Sequence, residues 1–265
     1  MFSAVRRAQH QPAAAAGAEY DVPTLYVLNA AAITKPHAIQ HLAADLTAYE
    51  VDIAVITETR LKKKHADHSF AIDGYSLFRR DRQGRRGGGV AVYVENVISS
   101  DVWTYHADLA DYELLWILVR LNSHTFLIGA VYHPPKPLYQ PSSMLDYIEA
   151  SIDAVTGAYP SATVILAGDF NALDDSEIIS RNALLSIVNR PTRGEHKLDR
   201  VYVNDAIYST VSVVTSTVKS DHKAIVAYTG PRLKPINKTR ERRVFRRRSP
   251  AQHTLFLEHA SQLNF

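Results

Sequence analysis

The run Thr163-Val164-Ile165-Leu166-Ala167 breaks at Gly168-Asp169-Phe170-Asn171, and this break constrains the chain more than any other stretch. A short β-branched and aliphatic run bounded by a turn signal reads as a buried strand. Ending that strand on Gly-Asp-x-Asn puts a carboxylate and an amide at the carboxyl edge of a sheet, where open α/β sheets bind ligands. Gly168 lets the backbone bend or a ligand approach closely. Asp169 and Asn171 could equally close an Asx turn and do nothing more. Four other strand ends repeat the pattern, and this weighs against the simpler reading.

Thr24-Leu25-Tyr26-Val27-Leu28 is a buried-type strand that stops at Asn29. Ile39, Leu42, Ala43, Leu46 and Tyr49 then recur at helical spacing, with Thr34 as N-cap and Pro36 in the first turn. The next strand, residues 52–57, ends at Glu58, so the chain opens with a strand–helix–strand unit. Residues 74–94 read as strand, turn, strand. Arg79, Arg80, Arg82, Arg85 and Arg86 flank the turn, and Gly87-Gly88-Gly89 precedes the second strand. These arginines suit either a solvated hairpin tip or an edge that contacts phosphate. The glycine triple is not a P-loop, because no Gly-Lys-Ser/Thr follows.

Residues 113–119 and 125–131 pair as a hairpin that ends at Tyr132-His133-Pro134-Pro135, where the prolines stop the pairing. A helix over 142–158 places Leu145, Ile148, Ile152 and Val155 on one face. A shorter helix is expected over 176–188. The polar loop 190–197 leads into Leu198-Asp199-Arg200-Val201. Residues 208–218 are again strand-like, and Ser220-Asp221-His222 opens a last strand at 223–228. Strands from both ends with helices between them predict a layered α/β sandwich.

The 265 residues allow one large domain or two small ones. The chain has no cysteine, which excludes disulfides and Cys-ligated zinc and suits a reducing compartment. No apolar run reaches the ~18 residues that suggest a membrane span, so no membrane partner is expected. The net charge of +3 hides an asymmetry: residues 231–265 carry +7 and residues 1–230 carry −4. A basic tail suggests a polyanionic partner. We divide the chain into a leader (1–22), a domain (23–230) and a basic linker (231–265). In the linker, Ser249-Pro250-Ala251-Gln252 reads as a helix start.

The polar residues at the strand ends are Asn29, Glu58, Tyr132, Asp169, Asn171, Asp199, Asp221 and His222. Carboxyl and amide oxygens without a soft donor favour Mg²⁺, Mn²⁺ or Ca²⁺. One histidine among carboxylates suits acid/base work. A tyrosine and an asparagine can donate to a developing negative charge. Phosphoester hydrolysis needs such parts.

In order and separation, Leu28-Asn29, Thr57-Glu58-Thr59, Val131-Tyr132, Gly168-Asp169-Phe170-Asn171, Leu198-Asp199-Arg200-Val201 and Ser220-Asp221-His222 resemble the endonuclease/exonuclease/phosphatase superfamily. Arg86-Gly87-Gly88-Gly89-Val90-Ala91, Tyr132-His133-Pro134-Pro135 and Asp199-Arg200-Val201-Tyr202 are similar, within it, to the endonuclease domain of non-LTR (LINE-type, jockey-like) retrotransposons. The resemblance covers residues 23–230. It implies a DNase I-like four-layer α/β sandwich, two packed β-sheets flanked by helices.

By the same resemblance, Glu58 would be the main metal ligand, with Asn29 and Asp221 near the same Mg²⁺ (or Mn²⁺). Asp169 would orient or deprotonate the attacking water, and Asn171 would hold that water or a phosphate oxygen. His222, oriented by Asp199, would face the scissile phosphate, and Tyr132 would donate to the phosphate or the leaving group. The implied activity is nicking of double-stranded DNA to leave a 3′-hydroxyl for reverse transcription. Element RNA and a reverse transcriptase domain would be partners of a monomeric nuclease domain acting in the nucleus.

From the residues, Thr192, Arg193 and Lys197, with Arg85 and Arg86, are the expected nucleic-acid contacts. An abasic-site repair nuclease and a lipid phosphodiesterase share these expectations of fold and chemistry. A binding module without catalysis would keep the fold alone.

Overall fold

The computed structural model describes residues 21–104 and 112–230. The leader through residue 20 and the basic linker with its expected helix start lie outside the described residues. The strands are β1 (Leu25–Asn29), β2 (Ile53–Thr57), β3 (Tyr75–Arg80), β4 (Val90–Glu95), β5 (Ser99–Trp103) and β6 (Glu113–Leu121). They continue with β7 (His124–Tyr132), β8 (Thr163–Asp169), β9 (Leu185–Ser186), β10 (Asp199–Val203), β11 (Thr210–Val214) and β12 (Ala224–Tyr228). The helices are α1 (Ala38–Ala48), α2 (Pro141–Ala158) and α3 (Asp175–Asn182).

Two mixed six-stranded sheets form, ordered β11-β12-β1-β2-β4-β3 and β5-β6-β7-β8-β10-β9. Strand alternation assigns the layers. Leu25, Val27, Ile53, Val55 and Val92 of the first sheet pack against Ile117, Ile128, Ile165, Val201 and Val203 of the second. Tyr26, Leu28, Ala54 and Ile56 point the other way and cover Leu42 and Leu46 of α1. On the far side, Leu127, Val164 and Leu166 cover Met144, Ile148, Ile152 and Val155 of α2. The layers are therefore helix, sheet, sheet, helix, as the sequence predicts. Among the described residues no helix is long and apolar enough to cross a membrane.

Each sheet has a parallel pair at its centre, β1 with β2 and β7 with β8. Each pair is bridged by one helix, α1 or α2. Two later strands follow each pair. The second of them docks antiparallel beside the pair and the first takes the rim: β4 and β3 in one sheet, β10 and β9 in the other. The carboxyl ends of all four parallel strands carry the polar residues.

Three local expectations are corrected. Helix α1 starts at Ala38, not near Thr34, with His37 left-handed at the N-cap and no side-chain cap. The preceding segment is held instead on the end of β2, where Ala30 N and Ile33 N donate to the carbonyls of Thr57 and Thr59. Helix α3 ends at Asn182, because Leu185 and Ser186 pair with Val203 and Tyr202 and extend the second sheet. Its start is capped by Asp174, which accepts from Ser176 N and Glu177 N. Strand β5 was not anticipated; its exposed pattern carries no apolar alternation.

Candidate active site

Strand register places the site. Asp169 is opposite Asp199 on one side and beside Tyr132 on the other. Asn29, at the end of β1, pairs in register with Thr57, so Glu58 comes one residue later at the same edge. Side-chain bonds then join the two sheets. Asn29 Nδ2 donates to Asp169 Oδ2 (2.7 Å) and to Glu58 Oε1 (3.2 Å), and Tyr132 donates its hydroxyl to Glu58 Oε1 (3.0 Å). Asn29, Asp169 and Tyr132 are buried, and Glu58 is half-buried.

The turn after β8 needs its glycine. Gly168 has φ +143°, and a Cβ there would lie 2.0 Å from the carbonyl oxygen of Val131. The close approach of β7 to β8 excludes any side chain at this position. Asn171, left-handed at φ 44°, donates its backbone N–H to Asp169 Oδ1 (3.0 Å) and its Nδ2 to the carbonyl of His133 (2.9 Å). The carboxamide is thereby oriented with its oxygen away from His133.

His222 and Asp199 form the second element of the site. His222 Nδ1 is 2.7 Å from Asp199 Oδ2, and both residues are buried. A carboxylate only accepts, so the shared proton is on Nδ1 and Nε2 is left for a ligand. Ser220 braces this pair: its hydroxyl donates to the carbonyl of Asn29 (2.6 Å) and accepts from His222 N (3.1 Å).

Charge in the site is strongly coupled. Burial, then the charge of Asp199, pushes the Asp169 carboxyl up to about 6, eased by Asn29 and His222. Burial works against a charged His222. The hydrogen bond and charge of Asp199, then Asp169 and Asp221, outweigh it and raise the imidazole above its ordinary value. Burial, then Glu58 and Asp169, raises Tyr132, which stays a phenol and a donor.

Of the remaining expected residues, Asp221 is exposed and its carboxylate pairs with Arg193 Nη2 at 2.6 Å. Lys197 Nζ is 3.4 Å from Asp175. Arg85 and Arg86 are exposed at the β3–β4 turn. Thr192 corrects the expectation of a nucleic-acid contact: it is fully buried. Its hydroxyl accepts from Leu198 N and Asp199 N, which leaves it the work of presenting Asp199.

Four supporting residues escaped the sequence reading. His133, buried and pushed down to about 4 by burial and then Arg200, supplies the carbonyl that holds Asn171. Arg82 pairs with buried Glu113 through Nε (2.6 Å) and stands over the Tyr132 ring, 5.3 Å from its centre. Glu113 also accepts from Gly89 N. A Cβ on Gly88 would lie 2.3 Å from Arg82 and Glu113, which accounts for a glycine in the middle of that run. Arg200 is the fourth. An ionisable residue inside an apolar run, Glu113 before Leu-Leu-Trp or Arg200 before Val-Tyr-Val, is the signal that was there to be read.

The residues fit a hard divalent cation. Carboxylate oxygens of Glu58 and Asp169 meet at Asn29 Nδ2, while Asn29 Oδ1 accepts from Ala31 N, and Asp199 Oδ1 is buried with no hydrogen-bond partner. Ligand atoms of Asp169, Asp199 and His222 also lie within 4.8 Å of one another. A carboxylate poised for a proton, a charged imidazole and a phenol donor around such an ion can hydrolyse a phosphodiester.

By sequence, no curated protein matches the chain significantly. Solved structures do match. The AP endonuclease LMAP from Leishmania major aligns at a TM-score of 0.58 and 15% identity, covering 79% of this chain and 88% of that one. The endonuclease domain of TRAS1, a telomere-specific non-LTR retrotransposon, aligns at 0.54 and 14% identity, covering 80% of this chain and 100% of that domain. TDP2 of D. rerio, complexed with a single-strand DNA product, aligns at 0.55 and 14% identity, covering 77% of this chain and 97% of that one. At these identities the likeness is one of fold, and the fold is DNase I-like. The sequence profile of the Endonuclease/Exonuclease/phosphatase family matches residues 19–222, from the leader to His222, and the chain belongs to this family of metal-dependent nucleases and phosphodiesterases.

Proposed function

We propose that the chain is a Mg²⁺-dependent DNA endonuclease of a non-LTR retrotransposon, acting in the nucleus. It nicks double-stranded DNA and leaves a 3′-hydroxyl from which a reverse transcriptase domain of the same element primes. The observation that carries the hydrolytic part is the junction of Asn29, Glu58 and Tyr132 with Asp169, beside the Asp199–His222 pair. The arginine turn at Arg85 and Arg86 and the loop with Arg193 and Lys197 supply cations suited to a phosphate backbone. The similarity of fold to the TRAS1 endonuclease domain supports the retroelement reading.

Glu58 and Asn29, with Asp221, would hold the ion, which supplies charge neutralisation and Lewis acidity at the phosphate. Asp169, whose carboxyl is raised by burial, takes a proton from the attacking water. Asn171 orients that water through its carboxamide, which the His133 carbonyl fixes in place. His222 presents Nε2–H to the phosphate, held as a cation by Asp199. Tyr132 donates to the leaving oxygen.

The test is conversion of supercoiled plasmid to open circle with Mg²⁺, with EDTA, and with Asp169→Ala. Loss of a positioned acid or base costs ~10²–10⁴-fold, so the variant should show no nicking above background. Near-wild-type nicking by Asp169→Ala would refute the role. A folded wild type that leaves plasmid intact would move the substrate to another phosphodiester or leave a binding module.

A further inference from the structure

Arg200 is a charged residue, the second of the buried strand β10, and it is only 8% exposed. Nothing in the hydrolytic chemistry above uses it. Its guanidinium spends its donors mostly on backbone carbonyls, two of them in the turn after β8, and Nη1 also reaches the Tyr202 hydroxyl (3.3 Å). Nη2 donates to the carbonyl of Asn171 (2.9 Å) and Nη1 to the carbonyl of Leu173 (2.7 Å). Nε donates to the carbonyl of Lys197 (3.3 Å). The same group stands over the Phe170 ring, 5.9 Å from its centre. Its counter-charge, Asp175 Oδ1, is 3.8 Å from Nη1 and is itself held by the Tyr202 hydroxyl.

We propose that Arg200 is a positioning residue for Asn171. Every other restraint on Asn171 comes from a different element: Asp169 Oδ1 holds its N–H and the His133 carbonyl holds its side chain. Arg200 holds the remaining backbone group, the carbonyl, and the same guanidinium fixes the carbonyl two residues on. A planar fork with parallel donors can pin two carbonyls at once, and an ammonium cannot do so with the same geometry. The backbone at Asn171 is left-handed, a conformation that an unrestrained asparagine leaves readily. Arg200 therefore sets where the Asn171 carboxamide points, and it reaches the reacting groups only through Asn171. This rests on the nuclease reading for its kinetic consequence, not for its structural one.

The experiment uses the full chain with Arg200→Lys, Arg200→Met, Asn171→Ala and the Arg200→Lys/Asn171→Ala double variant. Hydrogen–deuterium exchange read by mass spectrometry should show segment 170–173 exchanging about tenfold faster in Arg200→Lys, with β8 and β10 protected as in wild type. Plasmid nicking should fall about tenfold or more in kcat, with KM changed by less than about twofold. In the Asn171→Ala background, Arg200→Lys should cost less than about twofold further, since the two act as a unit. Unchanged exchange at 170–173, or losses that multiply in the double variant, would overturn the proposal. So would a collapse of protection across both strands in both Arg200 variants, which would make Arg200 a residue of the fold. A wild type that does not nick removes the nuclease reading and leaves the exchange measurement to decide the positioning.

Discussion

Asp169 and Asp199 stand directly opposite each other on adjacent antiparallel strands, and only Asp199 has the imidazole of His222 against it. Burial and the facing charge of Asp199 push the Asp169 carboxyl up, and Asp199 raises His222, so the work is split between a carboxyl that gives up its proton late and a neighbour that keeps an imidazole charged.

The stability of the metal-free protein should record the first half of that split. Asp169 rises from an ordinary 3.8 to about 6 on folding, so the folded state holds its proton more tightly than the unfolded one. Its contribution is fully present below pH 4 and is lost as pH rises to 6. Asp169→Asn escapes this loss. Urea unfolding should find the variant about 2–3 kcal/mol more stable than wild type above pH 6, with the gap closing near pH 4. A gap that does not change with pH would contradict the buried, proton-holding carboxyl.

For His222 the sign is that of a base whose value rises on folding. The stabilisation from its pairing with Asp199 is present below the ordinary histidine value of ~6.5 and fades as pH climbs through the folded value. Asp199→Asn removes the largest raising influence and leaves burial opposed only by the charges of Asp169 and Asp221. NMR titration of the His222 ring should place it above the ordinary value in wild type and clearly lower in Asp199→Asn. The variant should also nick ~10²-fold or more slowly.

Arg82 and Glu113 tie the β3–β4 turn to the start of β6 across the two sheets. Breaking a buried pair from one side leaves an uncompensated charge and costs about 3–5 kcal/mol. Glu113→Leu should lose about that much in urea unfolding. Replacing both residues, Arg82→Met with Glu113→Leu, should recover most of the loss. If the double variant is no better than the single one, the charge is not what the pair contributes.

Thermal unfolding should detect the ion without any substrate. Bound at 100 times its dissociation constant, a cation stabilises by ~2.7 kcal/mol. Mg²⁺ or Mn²⁺ should raise the wild-type melting temperature, and Glu58→Gln should abolish the rise. An equal rise in both would place the ion elsewhere.

Much of the fold was legible because buried strands announce themselves. Leu25 to Asn29 and Thr163 to Asp169 are apolar runs with abrupt polar ends, and those ends became the site. The rim strands were not legible. Ser99–Trp103 is exposed and Leu185–Ser186 is two residues long, so neither has a face to pattern. The start of α1 was misplaced because Thr34 looks like a cap, while the backbone of residues 30 and 33 is claimed by the end of β2. Within the site, groups that act by side chain were visible as residue types. Groups that act through backbone geometry were not: the His133 carbonyl, the Arg200 fork and the burial of Thr192 depend on which chain segments meet, and periodicity says nothing of that.

The chain builds the same four-strand arrangement twice, β1, β2, β4 and β3 in one sheet and β7, β8, β10 and β9 in the other. Asn29 and Tyr132 end the first strand of each set, and Glu58 and Asp169 end or just follow the second. Neither set alone holds the proposed site. In the proposed reaction one brings the carboxylate for the cation and the other the carboxylate for the water, and a hydrogen bond from Asn29 to Asp169 is the seam. On the proposed reading, turnover is a measure of registration between two half-structures. A substitution that lets the halves slide by a fraction of a bond length should then silence hydrolysis while each half still looks native.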